Sequence, residues 1–402
     1  MKSVDEHRAD VAAAVPALAA RPLGLDEADG AVLAEEITAR WPLPGFDNSA
    51  MDGYAVLARD VAAAAPAMPV LLPVEAEIAA GDTEFRTLAA GTCIRIMTGA
   101  PLPAGADAVV RVEWTDGGMR KAAIRRPVAP GDSVRRCGCD AQPGAELLTA
   151  GTRLGPAQLG LLAAVGEHTV LARPRPRIAI LSAGNELTGL GGAPRPGHTW
   201  ESNSFMLAAA ARRLDCPVRR CPLIRDDPAE VRAAVQAAAQ DADLLITSGG
   251  ISMGGEHDVF KAALQGLDGV TFDRVAMRPG MPQGFGAVGE PPTPILLLPG
   301  NPASAFVSFW LFAAPAVRAR QGLAAVPPRT TRAVLTAPVR SRAGKTSFAG
   351  GLFDPATGEV TPAAESSHHL TALAQANALI IVPSPVTALA AGDQVEVLEL
   401  PA

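Results

Sequence analysis

Residues 177–187 read RIAILSAGNEL, residues 243–252 read DLLITSGGIS and residues 295–304 read ILLLPGNPAS. Each starts as a short apolar run and stops abruptly in small and polar residues. Such a run, bounded by Gly or Pro, is the pattern of a strand buried on both faces. Helical patterns alternate with these runs at Ser202–Leu214, Asp227–Gln240 and Asp258–Leu264, and a last one opens at Asn301-Pro302 and continues to about Ala319. Further strand-like runs lie at Val218–Ile224, Val270–Ala276 and Gly284–Val288. Strands and helices joined by short connections predict a three-layer α/β domain on a parallel sheet over residues 173–325. The stiff segment Arg173-Pro174-Arg175-Pro176-Arg177 marks its start.

The flanking segments read differently. Residues 4–40 are Ala-rich and helical in pattern, with a second helix expected from Leu25 and Asp26 as its N-cap. A helix is also expected over Gly155–Val165, with Pro156 at its first position. Over 42–134, β-type runs (Val70–Ile78, Thr92–Met97, Ala108–Trp114, Ala122–Arg126) alternate with Gly/Pro turns, as in a small β-rich domain. Pro73 restricts the first of these runs to an edge strand at best. From 326 to 402, runs at Arg332–Pro338, Gly351–Phe353, Leu379–Val382 and Gln394–Leu400 give a small C-terminal β domain.

Composition narrows the function classes. At 402 residues the chain exceeds one ordinary core, and 48% hydrophobic content argues against disorder. A net charge of −6 with no basic run argues against nucleic acid as a main partner. The N-terminal MKSVDEHRAD lacks the apolar core of a signal peptide. The longest apolar stretch, Ala303–Val317, is interrupted by Ser304, Ser308 and Pro315 and is shorter than the roughly 20 residues a bilayer span needs. No membrane association and a cytoplasmic location are therefore expected. The five cysteines (93, 137, 139, 216, 221) include no CxxC. They are expected to be reduced structural thiols, since Cys137-Gly138-Cys139 lacks a second pair at zinc-site spacing.

Candidate chemistry concentrates in a few loops. PLPGFDNSAMDGYAV (42–56) has neither helical nor strand period, and its Asp47, Asn48, Ser49 and Asp52 suit either a polar-ligand or metal loop or an Asx-rich turn. In an open parallel sheet, ligands bind beyond the carboxyl ends of the strands. Four such ends here are polar. The turn Thr247-Ser248-Gly249-Gly250-Ile251-Ser252 suits a phosphate, because its glycines let backbone N–H groups approach an anion. It is neither a P-loop nor GxGxxG. Glu186, Asp226 and Asp258 lie at three strand ends and suggest Mg²⁺ held through one or two acids, waters and phosphate oxygens. Asp227, before Pro228, reads as a helix cap instead.

Taken in order, PLPGFDNSAMDGYAV, RIMTGAPLPAGADAVV (95–110), SAGNEL (182–187), RDDP (225–228), TSGG (247–250) and LPGNPASA (298–305) resemble the molybdopterin molybdenumtransferase family, the MoeA and gephyrin E-domain group. The resemblance covers essentially the whole chain. It implies four domains: a helical linking domain from 1–41 plus 135–172, a β-rich insertion (42–134), an α/β domain like molybdopterin adenylyltransferase (173–325) and a C-terminal β-barrel (326–402). It implies a homodimer whose cleft is shared between subunits, with molybdopterin adenylyltransferase and molybdoenzymes as further partners. The implied reaction is Mg²⁺-dependent insertion of molybdate into adenylylated molybdopterin with release of AMP. The working residues carried over by motif are Asp52, Thr98, Asp140, Glu186, Asp226, Asp258, Pro299, Pro302 and Ser367. Asp52 and Thr98 would come from the partner subunit. Pro282, Gly300 and Asn301 belong to the pterin-nucleotide loops in the same comparison.

The chain also departs from the family. A Lys-Pro-Gly-Lys-Pro loop is here Arg278-Pro279-Gly280-Met281-Pro282, which loses one cation. A barrel Arg in Phe-x-Arg-Gly is replaced at Gly350. Asn185 stands for an Asp before Glu186, and the loop 253–258 is one residue longer, which shifts the register at Asp258. Three readings follow, beside a weaker fourth, a generic Mg²⁺-dependent nucleotide hydrolase, which leaves the first two loop motifs unexplained. In one, the oxyanion site of a working transferase uses Arg278, Ser304, Ser367, His368 and backbone N–H groups. In the second, the chain is a paralogue with weak or altered oxyanion use. In the third, it is a non-catalytic scaffold.

Overall fold

Six strands build a sheet in the order Val218–Arg220, Ile178–Ser182, Leu244–Ser248, Thr293–Leu298, Pro282–Val288, Thr271–Arg274. The computed structural model describes residues 1–82, 86–193, 195–252, 258–267, 269–363 and 370–401. The first four strands run parallel. Pro282–Val288 pairs antiparallel with both of its neighbours, so the sheet is mixed rather than wholly parallel. The physical reason is the connection: residues 289–292 are too few for a crossover, which needs a dozen or more residues, and only a hairpin closes so short a gap. Val218–Ile224 likewise yields a strand only to Arg220, with Ile224 making one isolated bridge to Ala183.

Alternate residues of the strands enter two cores. Ile178, Ile180, Leu244 and Ile246 pack with Leu207 and Ala208 of the helix Asn203–Arg212 and with Phe309 and Phe312. Ala179, Leu181 and Leu245 pack with Val231, Val235 and Phe260 of the helices Pro228–Asp241 and Val259–Leu264. Each fully buried aliphatic or Phe side chain contributes about 1.5–3 kcal/mol. The apolar stretch 303–317 is thus a buried helical run, and no helix among the described residues is long and apolar enough to cross a membrane. Within it, Phe309–Ala313 is a π-turn. Pro315 has no N–H to return to the Leu311 carbonyl, and Arg8 Nε donates to that oxygen at 3.4 Å.

The chain divides into two units, Met1–Ala34 with Val170–Ala402, and Glu35–Thr169. Residues 4–40 are helical only at their start, and no second helix begins at Leu25. The helix Val4–Ala14 carries a capping box from Ser3 and Glu6 and stops ahead of Pro16. Arg21–Gly24 and Val32–Leu33 are strands paired with Thr169–Arg173, and Asp26 lies in a turn rather than capping a helix. The C-terminal strands Thr346–Asp354, Glu359–Pro362, Thr330–Leu335, Gln394–Glu399 and Ala378–Val382 close into a five-stranded barrel, the last pairing back to the first.

In Glu35–Thr169, the strands Ala108–Arg111, Gly53–Val56, Cys93–Ile96, Val70–Ile78 and Lys121–Ile124 form one sheet in that order. Val70–Ile78 is not an edge strand. It changes partner at Pro73: residues 70–73 pair with 121–124, and Val74 onward with 93–96. Each half has one partner, which is how Pro is tolerated. The helix Pro156–Ala164 follows, with Pro156 at its start as expected. Burial pushes the Cys93 thiol up to about 12, so Cys93 is an inert core thiol. Cys137 and Cys139 are free but exposed, and so are not core residues.

One buried titratable group couples the N-terminal helix to the sheet. His7 is 1% exposed, edge-on to Phe285 and Phe312, with Nδ1 3.2 Å from Asp273 Oδ2. Lys2 Nζ bonds to both Asp273 and Asp10 at 2.8 Å. Burial lowers the His7 pKa despite the opposing pull of Asp273. The native state therefore holds His7 neutral. Its contribution to stability is complete above the unfolded value of about 6.5 and is lost as pH falls through the lower folded value. The Tm is expected to drop on acidification below about pH 6.5, and His7→Gln to flatten that drop. Thermal denaturation of the two proteins across this range is the check, and equal slopes would reject the assignment.

Candidate functional site

The strand Ile178–Ser182 ends the first apolar run, and the chain turns through Ala183-Gly184-Asn185-Glu186. A Cβ on Gly184 would lie 2.6 Å from Glu186 Oε2, so only glycine leaves room for this carboxylate to fold back over the turn. Asn185 and Asp226 lock two loops together: Asn185 N donates to Asp226 Oδ2 at 2.9 Å, and Asp226 N donates to Asn185 Oδ1 at 3.2 Å. Asn185 Oδ1 is thus engaged as the acceptor for the Asp226 amide. Asp227 Oδ1 accepts from Ala229 N and Glu230 N at 2.7 and 3.2 Å, as the cap of its helix.

The central strand ends in Thr247-Ser248, both buried. Gly249 and Gly250 follow in the left-handed region, with φ of 96° and 59°. A Cβ on Gly250 would meet Phe260 N at 2.9 Å. These two residues turn the backbone as an anion cradle requires. Ser252 Oγ donates to Asp258 Oδ1 at 2.7 Å. Asp258 precedes the helix Val259–Leu264 but its side chain does not cap it. It is 8% exposed, with no basic partner among the described residues. A buried carboxylate held by one hydroxyl is costly unless a cation joins it.

The fourth parallel strand ends in Pro299-Gly300-Asn301-Pro302. Asn301 Oδ1 caps the next helix, accepting from Ser304 N at 3.1 Å and Ser304 Oγ at 3.4 Å. Asn203, which the sequence analysis did not single out, ties this loop to the glycine turn. Its Nδ2 donates to Gly300 O and to Ser248 Oγ, both at 2.7 Å, and Ser248 Oγ donates on to Pro299 O at 3.3 Å. The buried Glu201 does similar work, accepting from Ser182 Oγ, Ser204 N and Ser204 Oγ at 2.6–3.1 Å. Their signal in the sequence was a polar Glu201-Ser-Asn-Ser204 cluster opening a helix beside the strand ends.

These loops surround one pocket of about 440 Å³. Glu186, Asp226 and Asp258 line it, with Gly249, Gly250 and Ser252. Pro282, Pro299, Gly300, Asn301 and Ser304 complete it, together with Ile251 of the glycine turn and with Ala183 and Gly184, which sequence reasoning had not singled out as site residues. Thr247, Ser248 and Pro302 stand behind this lining. Arg278 is on a two-residue strand paired with Ser347 of the barrel and is not part of the lining. Ser367 and His368 lie outside the described residues. In the other unit, Asp52 Oδ1 accepts from Thr98 N and Thr98 Oγ1 at 2.7 and 2.8 Å. These bonds, backbone first, hold the Asp52 carboxyl below the usual range. Asp140 is exposed, its N–H bonded to Leu43 O at 2.9 Å.

Although three carboxylates share the pocket, no group of three or more His, Cys, Asp or Glu is drawn close enough to hold a metal among the described residues. The donor set is one of hard oxygens. It fits a cation that keeps several waters and takes one or two protein carboxylates, which is the habit of Mg²⁺.

Comparison with known proteins matches three family models in chain order. They are the MoeA N-terminal region (domain I and II) at residues 2–166, a probable molybdopterin binding domain at 179–319, and the MoeA C-terminal region (domain IV) at 332–400. The chain is 45% identical to molybdopterin molybdenumtransferase 2 of Mycobacterium tuberculosis, over 100% of both chains. It is 37% identical to molybdopterin molybdenumtransferase 1 of the same organism, over 99% of this chain and 98% of the relative. Among solved structures, a molybdopterin biosynthesis MoeA protein from Pyrococcus horikosii superposes with a TM-score of 0.78 at 28% identity, covering 100% of this chain and 99% of that one.

Proposed function

Because the chain belongs to the molybdopterin molybdenumtransferase family, enzymes of molybdenum cofactor biosynthesis, we propose that it inserts molybdate into adenylylated molybdopterin and releases AMP. The observation that carries this reading is the single pocket in which three carboxylates face a left-handed glycine turn. The turn's N–H groups would hold the nucleotide phosphates, and the Asn301-capped helix start would add to the field. Asn203 keeps the two phosphate-facing loops at fixed separation. Glu186, Asp226 and Asp258 would supply the carboxylates for Mg²⁺, which when bound neutralises phosphate charge and acidifies bound water. Water attacks phosphorus, the phosphoanhydride bond breaks, and AMP leaves. Among the described residues the pocket holds no side-chain nucleophile in a triad arrangement, in keeping with attack by water. A cytoplasmic homodimer, in which Asp52 and Thr98 of a second copy complete the cleft, belongs to this reading.

A specific observation supports altered oxyanion use as the second reading. At Gly350 a Cβ would already lie 3.3 Å from Leu373 Cδ2 and from Ala376 Cβ. Leu373 and Ala376 thus pack closely at this position and would have to give by a few tenths of an ångström for any larger side chain. The deciding assay offers adenylylated molybdopterin to the purified chain and then adds molybdate and Mg²⁺. Micromolar or tighter pterin binding followed by AMP release is expected. Binding without AMP release favours the altered paralogue, and no binding favours a scaffold.

A further inference from the structure

Two cations converge on one thioether. Lys345 Nζ lies 3.4 Å from Met281 Sδ, and Arg274 Nη2 lies 4.0 Å from the same sulfur. Lys345 is half-buried and makes no ion pair among the described residues. A thioether is a weak acceptor and offsets little of the cost of desolvating an ammonium. Nor does it relieve the repulsion between two like charges held at one atom. The arrangement is not a flexible accident of long side chains, because the backbone pins its parts. Val275 N donates to Met281 O at 2.8 Å, Thr346 N donates to Ala276 O at 2.9 Å, and Met277–Arg278 pairs with Thr346–Ser347. Met281 directly precedes Pro282, which lines the carboxylate pocket.

We infer that Lys345, assisted by Arg274, is a specificity-determining cation of this chain: it binds a tetrahedral oxyanion dianion beside Met281. A dianion between the two groups removes their repulsion and gives both strong charge-assisted acceptors. Lys345 thereby supplies from the barrel side the charge that the loop itself lacks at Met281. The choice of molybdate as the anion rests on the function proposed above, whereas the cation pair does not.

Equilibrium dialysis with sodium molybdate, without pterin, tests the inference. Lys345→Met is expected to weaken molybdate binding by about tenfold or more, and Arg274→Met by less, because its guanidinium is more exposed. The transposed double variant Met281→Lys/Lys345→Met returns one ammonium to the same sulfur-sized space and is expected to recover most of the loss. Undiminished binding by Lys345→Met, or no recovery in the double variant, overturns the inference. Pterin-nucleotide binding is measured in parallel and is expected to be unchanged in all three. A chain that binds pterin nucleotide but no molybdate defeats this proposal and leaves the nucleotide site standing. A chain that binds molybdate through Lys345 but no pterin nucleotide does the reverse.

Discussion

Asp258→Asn is expected to slow AMP release by about a hundredfold or more, the scale of losing one preorganised electrostatic group in a dry site, and to unfold at the same temperature as the unaltered chain or higher. The second half of the expectation is the discriminating one. Asp258 is buried, its carboxyl is bonded only to Ser252 among the described residues, and it does not cap its helix. An Asn there keeps an oxygen for Ser252 and removes a charge that no basic group offsets among the described residues. Removing an uncompensated buried charge does not destabilise a fold. A side chain kept for structure would show lost activity together with a lower Tm. A side chain kept for a cation and a phosphate shows lost activity alone. Turnover measured as AMP per adenylylated pterin, with a thermal melt of the same preparation, separates these outcomes. Unchanged turnover would remove Asp258 from the site.

Much of this site was legible because strand ends are local features. The runs ending at Ser182, Ser248 and Leu298 announce themselves by apolar residues that stop at Gly or Pro, and the sheet then aligns their ends without further information. That is why Glu186, Asp226, Asp258 and the glycine turn could be grouped before their positions were known. Asp227 could be set apart as a cap for the same reason, since Asp-Pro at a helix start is a local signal. What was not legible required knowing which side chain meets which. Asn203 sits at an unremarkable helix start, and its bonds to Ser248 and Gly300 cross gaps of 45 and 97 residues. Likewise Lys345 and Met281, 64 residues apart, meet only because the barrel strand after Lys345 pairs with the strand before Met281.

Other misses had signals that were present and under-weighted. The four residues between Val288 and Thr293 ruled out a parallel crossover. Pro16 and Pro22 argue against a helical pattern between the first helix and the second one expected from Leu25, where the strand Arg21–Gly24 lies. Conversely, Pro73 was given too much weight, because a strand that changes partners at the proline never needs its missing N–H on both sides. The reading of 42–56 as a wholly irregular loop was correct up to Met51, apart from the short pair Asn48–Ser49, and wrong from Gly53, where the strand Gly53–Val56 is buried throughout. A four-residue strand with both faces covered has no period to detect.

That strand gives the largest stability effect expected outside the pocket. Gly53 sits between Ile96 and Arg111 in the sheet. A Cβ there would fall 1.9 Å from Val110 O, 2.9 Å from Val110 C and 3.1 Å from Arg111 Cα. These are backbone atoms held by strand pairing, so they cannot swing aside as a side-chain tip could. Gly53→Ala must therefore push apart the pairing of Gly53–Val56 with Ala108–Arg111. The cost should reach the upper end of overpacking penalties, about 3 kcal/mol, equivalent to a fall of roughly 10 °C in the melting of this unit. The damage would extend to function through a neighbour. Asp52, one residue earlier, receives Thr98 N and Oγ1, and its own carbonyl accepts from Val112 N at 3.0 Å. Shifting Gly53 moves both anchors of Asp52 relative to each other. The glycine of the Met51-Asp52-Gly53-Tyr54 motif is thus required by how close the neighbouring strand lies, not by turn geometry. Gly53→Ala should lower Tm and release the amide of Thr98 to faster hydrogen exchange, whereas Gly45→Ala, with only Pro42 O at 4.0 Å, should do neither. Equal effects of the two substitutions would show that the loop, rather than the strand contact, sets the demand for glycine.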